Sequence, residues 1–230
     1  MRKLVLFDFD GTLADTAPDL AAAANRQRAR RGLPPLPYEA LRPMASQGAR
    51  GLLKASLDML PDHPEYETCR QQFLSDYEQD MTTLTVLFPG VPELLGTLKD
   101  HGYSWGIVTN KVEHLALPIV QHLGLHTECV VTVGGDTASH PKPHPAPLLH
   151  AARQAGADPA DCIYVGDDER DIVAGKAANM RTIAAAYGYC GLSEVAAWQA
   201  DAVAHSPGEI WPLVRRFWAA QARRPEKDIC

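Results

Sequence analysis

The chain has 230 residues, 46% of them apolar, enough to bury one sizeable core or a core with a smaller cover. Its formal charge of −6, from 22 basic and 28 acidic residues, argues against a nucleic-acid binder, which needs clustered Lys and Arg along the phosphate backbone. Five cysteines without Cys-x-x-Cys spacing indicate neither a disulfide framework nor a zinc site, the first strand begins too early for a signal peptide, and no apolar run reaches the roughly 18 residues of a membrane span, so a soluble, cytoplasmic protein with reduced thiols is expected.

The first predicted element is a short buried strand from Leu4 to Phe7, which runs straight into Asp8-Phe9-Asp10-Gly11-Thr12. Two carboxylates delivered to nearly one place repel each other unless a cation lies between them or one keeps a proton. Both conditions suit phosphoryl transfer, in which one carboxylate attacks phosphorus and a second carboxyl group gives a proton to the leaving oxygen. An Asp-Gly pair alone is an ordinary solvated turn. Its position after a fully apolar run at the chain start points to a site.

Next comes a helix from Ala17, with Asp15 or Thr16 as cap, Pro18 in the first turn, a run of alanines and Gly32 as terminator. The stiff Leu33 to Pro37 connector leads to helical stretches at Tyr38 to Leu41, Ala49 to Leu60 and Pro64 to Met81. Residues 17–82 therefore read as an all-helical insertion with no strand in it. Beyond it, helices at 91–101, 112–123, 146–156 and 169–179 and a closing helix from Glu209 alternate with strands at 103–110, 129–133, 162–165, 182–186 and 202–204. This alternation predicts an α/β fold: a Rossmann-like parallel sheet core with helices on both faces, plus a small helical cap inserted after the first strand. The expected division is a discontinuous core of residues 1–16 and 83–222, a cap of 17–82 and a polar tail of 223–230. The basic clusters Arg26 to Arg31 and Arg215 to Arg224 are expected to be solvated helix faces. Trp198, Trp211, Phe217 and Trp218 are expected to pack.

Sites in such sheets lie beyond the carboxyl ends of the strands. The later strands lead there to Thr109-Asn110, to a loop carrying His140-Pro141-Lys142-Pro143-His144-Pro145, and to Gly166-Asp167-Asp168-Glu169-Arg170-Asp171. Hydroxyl and amide groups can hold phosphate oxygens, and Lys142 supplies a cation for a transition state that spreads negative charge. The two histidines flank Lys142 in a proline-rich loop that is no helix, and they are expected to line the entrance to the site.

Taken together, Asp8-Phe9-Asp10-Gly11-Thr12, Thr109, Lys142 beside proline, and Gly166-Asp167-x-x-x-Asp171 resemble, in order, the four motifs of the haloacid dehalogenase-like hydrolase superfamily. The resemblance implies Mg2+ as cofactor, Asp8 as nucleophile and metal ligand, and Asp10 as general acid and then base, with its backbone carbonyl on the metal. It further implies that Thr109 and Lys142 hold the transferring phosphoryl group and that Asp167 and Asp171 complete the metal site. Asp168 departs from the serine of many relatives. Dehalogenases lack the second aspartate, so Asp10 points to phosphorus chemistry.

Within the superfamily, Asp15-Thr16-Ala17-Pro18-Asp19-Leu20, Thr109-Asn110-Lys111 and Tyr187-Gly188-Tyr189 look like phosphoglycolate phosphatases. Gly32-Leu33-Pro34-Pro35 and Ala197-Trp198 look like N-acetylmuramic acid 6-phosphate phosphatases. The expected partner is a small phosphate monoester, 2-phosphoglycolate first and a sugar phosphate second, with a phosphosugar mutase and a receiver-type signalling module as rivals. Gly11, Thr12, Asn110, Lys111 and Arg50 are the expected phosphate and substrate contacts, Arg50 because it stands at a helix start and Lys111 because it could meet a substrate carboxylate. The chain is expected to be a monomer or homodimer without nucleic-acid or membrane partners.

Overall fold

The structure is a computed structural model that describes residues 2–222; the expected polar tail, with Arg223, Arg224 and Cys230, lies outside the described residues. A strand β1 (Leu4–Phe7) leads through a turn to β2 (Ala14–Asp15), and four helices follow: α1 (Ala17–Ala29), α2 (Tyr38–Leu41), α3 (Gly48–Leu57) and α4 (Tyr66–Asp80). The chain returns through β3 (Val86–Leu87) and alternates α5 (Val91–Asp100), β4 (Ser104–Val108), α6 (Glu113–His122), β5 (Thr132–Val133), α7 (Ala146–Ala155) and β6 (Cys162–Gly166). Then come α8 (Glu169–Ala177), β7 (Arg181–Ala185), α9 (Leu192–Val195), β8 (Ala202–Ala204) and α10 (Ile210–Ala222). No helix among the described residues is long and apolar enough to cross a membrane.

Six strands form one parallel sheet in the order β5-β4-β1-β6-β7-β8. β1 is central and wholly buried, which explains its uninterrupted apolar sequence. Its side chains alternate between two cores: Val5 and Phe7 join the larger one, Leu4 and Leu6 the smaller one under α7. Because β4 and β6 flank β1 on opposite sides, the order of connection reverses there, and a crevice opens beyond its carboxyl end.

No strand falls within residues 17–82, as expected, but two short strands stand at the edges of the insertion. β2 and β3 pair antiparallel, Ala14 with Leu87 and Asp15 with Val86, so a short ribbon ties the chain where it leaves the sheet to where it returns. Two residues are too few to show alternation in sequence. Just beyond the ribbon, the buried Asp19 carboxylate accepts from the Leu84 and Thr85 amides and the Thr85 hydroxyl at 2.9 to 3.0 Å.

The Arg26 to Arg31 cluster is also not a solvated face. Arg26 pairs with Asp80 and donates to the Asp76 carbonyl at 2.9 Å, Arg30 pairs with Asp76, Gln27 donates to Asp76 at 2.7 Å, and Arg31 reaches Cys69 Sγ at 2.7 Å. Alanines 21, 23 and 24 on the buried side of α1 carry little bulk, so α4 comes close enough for its carboxylates to meet these arginines. Arg30 holds the Asp76 carboxyl below its ordinary range by hydrogen bonding, against the opposing effect of burial. The aromatic residues near the carboxyl end pack as expected, with Trp198 and Trp218 buried and Tyr103 stacked on Trp218 at 4.6 Å.

Candidate active site

The end of β1 fixes Asp8. Its amide donates to Val165 O at 2.8 Å, extending the ladder by one residue, and its carboxylate faces the crevice with 9% exposure. Gly11 then turns the chain with φ of +84°, a conformation that side chains disfavour. A Cβ at Gly11 would lie 2.2 Å from Asp167 Oδ2, and one at Gly188 would lie 2.3 Å from Asp167 Cβ, so two glycines leave room for that buried carboxylate. The Thr12 hydroxyl donates to Asp167 Oδ1 at 2.9 Å and the Tyr189 amide to Asp167 Oδ2 at 3.0 Å. Of the two residues expected at phosphate, Gly11 gives its amide to Ala14 O and leaves clearance for Asp167, and Thr12 gives its hydroxyl to Asp167.

Asp171 sits in the first turn of α8. Its Oδ2 accepts the Asp168 amide at 3.1 Å while Asp168 Oδ1 accepts the Arg170 amide at 2.9 Å, a reciprocal cap at the helix start. Carboxylate oxygens of Asp8, Asp167 and Asp171 lie within 4.8 Å of one another. Lys142 is their neighbouring cation, 2.8 Å from Asp8 Oδ1 and 2.6 Å from Asp171 Oδ1, with further donations to Tyr164 Oη at 2.8 Å and Val108 O at 3.1 Å.

This crowding sets the protonation. Burial, then Asp171, pushes the Asp8 carboxyl up to about 7, against the pull of Lys142. Burial, with Asp8 and Asp171, holds Asp167 well above the carboxylate range. Burial disfavours the Lys142 charge, but Asp171 and Asp8 outweigh it and the ammonium is held more tightly than usual. Two of the three carboxylates, Asp8 and Asp171, thus share one ammonium, Asp167 has none beside it among the described residues, and Asp8 Oδ1, within ion-pair distance of Lys142, is buried without a geometric hydrogen bond from the described residues. A cluster of hard oxygen donors short of positive charge suits a divalent cation of the Mg2+ kind.

Asp10 stands apart from that trio. Its Oδ1 accepts from the Thr16 hydroxyl at 2.5 Å and from Lys111 Nζ at 2.8 Å. Lys111 in turn lies 4.8 Å from the Tyr77 ring centre of α4. Thr109 is buried on the wall of the crevice, its hydroxyl accepting the Lys111 amide at 3.1 Å. The Asn110 side chain makes two reciprocal bonds of 2.9 Å with the Lys142 backbone, which holds the lysine loop in place.

Over these groups lies a cavity of about 350 Å³. The strand ends supply its floor, and the helices supply its roof through Leu20, Ala45 to Ala49, and one face of α4: Arg70, Phe73, Leu74 and Tyr77. Arg50, in the first turn of α3, is exposed and not part of the lining, although Ala49 beside it is. His140 and His144 are exposed, stack on each other at 4.5 Å and stand off the lining as well.

Sequence reasoning missed Tyr164, and it singled out Tyr189 without its partners. Tyr164, in the middle of the fully buried β6, receives Lys142 and donates to Val108 O at 2.7 Å. The signal was a phenol inside an apolar strand, where the hydroxyl requires a partner. Tyr189 Oη collects the Thr16 and Ala17 amides at 2.8 and 3.0 Å and bonds Asp15 Oδ1 at 3.0 Å, which anchors the start of α1. Only the fold reveals that partnership across 173 residues.

A family model described as haloacid dehalogenase-like hydrolase matches residues 5–185. The chain is 45% identical to a phosphoglycolate phosphatase of Xanthomonas campestris pv. campestris over 91% of this chain and 95% of the relative. It is 41% identical to an N-acetylmuramic acid 6-phosphate phosphatase of Pseudomonas aeruginosa, covering 93% and 95%. A crystal structure of a predicted phosphoglycolate phosphatase from Haemophilus somnus superimposes with a TM-score of 0.82 at 28% identity, covering 92% of this chain and 97% of the other. With the expected motifs at the ends of β1, β4 and β6 and a helical cap over them, the chain belongs to the haloacid dehalogenase-like hydrolase family.

Proposed function

We propose that this hydrolase is a Mg2+-dependent phosphatase that cleaves a small phosphate monoester through an aspartyl phosphate on Asp8. The observation that carries the reading is the division of partners at the end of β1: Asp8 faces Lys142 and two further carboxylates, whereas Asp10 is held separately by Thr16 and Lys111. Crowded carboxylates with separate environments take separate jobs.

In the first step an Asp8 oxygen attacks phosphorus, the bond from phosphorus to the ester oxygen breaks, and Asp10 donates a proton to that departing oxygen. In the second, Asp10 accepts a proton from water as the water oxygen attacks the aspartyl phosphate, and inorganic phosphate leaves. Thr109 and Lys142 hold the equatorial phosphoryl oxygens. Asp8, Asp167 and Asp171, with the Asp10 carbonyl, would hold Mg2+, which supplies charge neutralisation where Lys142 meets two of the three carboxylates. The helical residues 17–82 act as a lid that keeps water from the first step.

For the substrate, the relatives' names offer 2-phosphoglycolate and N-acetylmuramic acid 6-phosphate. The cavity volume of about 350 Å³ favours the second, since a two-carbon phosphate fills on the order of 150 Å³ at packed density. Rates with both esters, each with and without Mg2+, test the assignment. Asp8→Asn is expected to abolish both turnover and covalent phosphate labelling, and Asp10→Asn to lower kcat by about 10² to 10⁴-fold. Retained labelling in Asp8→Asn, or undiminished turnover in Asp10→Asn, would sink the mechanism.

A further inference from the structure

Four cations line the cavity: Lys111, Lys142, Arg170 and Arg70. Three of them already meet carboxylates that line it too. Lys142 holds Asp8 and Asp171, Lys111 holds Asp10 at 2.8 Å, and Arg170 holds both oxygens of Asp168 at 2.7 and 2.8 Å. Arg70 differs. Its carboxylate partner among the described residues is Glu67, 3.0 Å away and one turn back on α4, a residue that stands outside the cavity with 62% of its side chain exposed. Such an exposed pair is weak and readily exchanged.

The setting of Arg70 points to what would replace Glu67. Positions 70, 73, 74 and 77 share one face of α4, so the guanidinium stands one turn from Phe73 and Leu74 on the same wall. Leu20 and Leu115 extend the apolar surface. At the far end of that face, Tyr77 Oη is buried and, among the described residues, meets no geometric hydrogen-bond partner, with the Lys111 ammonium near its ring. A leaving group that fills this space meets apolar side chains along its body and a guanidinium at one end, and a guanidinium takes a carboxylate with two parallel hydrogen bonds.

We propose that Arg70 is a specificity-determining residue that binds a carboxylate carried by the leaving group of the phosphate ester, with the body of that group packed on Phe73 and Leu74. The proposal rests on the phosphatase reading above and assigns to Arg70 the selectivity expected of Arg50.

The test is a ratio of kcat/KM values for two esters that differ by one carboxylate: N-acetylmuramic acid 6-phosphate and N-acetylglucosamine 6-phosphate, which lacks the lactyl acid. The wild-type protein is expected to prefer the acid by about tenfold or more, and Arg70→Met to reduce that ratio about tenfold, with the loss appearing chiefly in KM for the acid. Arg70→Lys, which keeps charge and loses the planar fork, should fall between them. A wild-type ratio near one, or an equal loss on both esters in Arg70→Met, overturns the proposal. p-Nitrophenyl phosphate separates the two levels of argument. Wild-type protein that cleaves neither it nor any sugar ester defeats the phosphatase reading, and the Arg70 assignment with it. Wild-type protein that cleaves it but shows no Arg70-dependent ratio defeats the Arg70 assignment alone.

Discussion

The floor and the roof of the cavity are built on opposite terms. The floor packs Asp8, Asp167, Asp171 and Lys142 into a buried cluster whose members are held by strand ends, glycine clearances and the cap of α8. The roof presents a largely apolar helix face with a single guanidinium, and its own charge network, Arg26 and Arg30 with Asp76 and Asp80, lies between α1 and α4 rather than toward the floor. The floor therefore concentrates charge at a cost to folding, and the roof is built at little electrostatic cost. On the proposed phosphatase reading, the chemistry of the floor would serve different esters if only the roof changed.

The sharpest way to break this contrast is to remove the floor's cation. Lys142→Met leaves Asp8 and Asp171 without their ammonium, and removing one member of a buried ionic pair typically costs about 3 to 5 kcal/mol, less to the extent that the raised Asp8 carboxyl takes up a proton instead. Urea unfolding at alkaline pH in the presence of a chelator should show a loss of that size together with loss of turnover. A variant of wild-type stability there would mean that Lys142 does not hold the Asp8 and Asp171 charges in the folded protein.

The same contrast explains what could be read from the sequence. The floor was legible because its groups follow apolar strands directly and act at the strand ends: Asp8 after Leu4 to Phe7, Thr109 after β4, Asp167 after β6. The α/β order was legible for the same reason, since alternating apolar runs and helices leave few alternatives. What was not legible depended on contacts made only after folding. Thr12 and Asn110 carry polar groups suited to phosphate, and no local pattern announced that one also bonds Asp167 and the other the Lys142 backbone. Arg50 sits beside a helix start as a substrate residue might, but the inward face belongs to α4, and Arg70 could be found only by knowing which side of that helix faces the floor. The arginines on and just after α1 read as solvated because nothing in their local sequence announces Asp76, which Arg26 and Arg30 meet some fifty residues on.

A smaller effect tests the roof by itself. Asp76 is buried between α1 and α4, and Asp76→Asn should cost about 1 to 3 kcal/mol, near the lower end because Arg30 is half exposed, or about 2 to 4 °C of Tm for each kcal/mol. The pH dependence gives the sign. The folded carboxyl titrates below its unfolded value, near 3.9, so its contribution is complete above that value and disappears as pH falls through the lower folded one. Thermal melts of wild type and Asp76→Asn should therefore stay separated at neutral pH and converge below about pH 4. A separation unchanged by acid would assign the loss to packing rather than to the ion pair.

The smallest effect lies at the seam between the two regions. Arg170, on α8 at the floor, donates Nη2 to Ser46 O in the roof at 2.6 Å while its guanidinium grips Asp168. Burial raises the Asp168 carboxyl, but hydrogen bonding and charge from Arg170 outweigh it, and the carboxyl stays below its ordinary range. The pair thus presents one donor to the Ser46 carbonyl, and one such bond across a partly exposed seam is worth about 1 kcal/mol. Arg170→Leu should let the roof open more often without altering the groups that attack phosphorus or move protons. The expected result is a KM raised about two- to fivefold with kcat within about twofold, and faster limited proteolysis within residues 42–47, where the described chain forms a short 3₁₀ helix. If kcat falls as far as kcat/KM, Arg170 acts in the transition state, and the boundary between floor and roof must be drawn above it rather than through it.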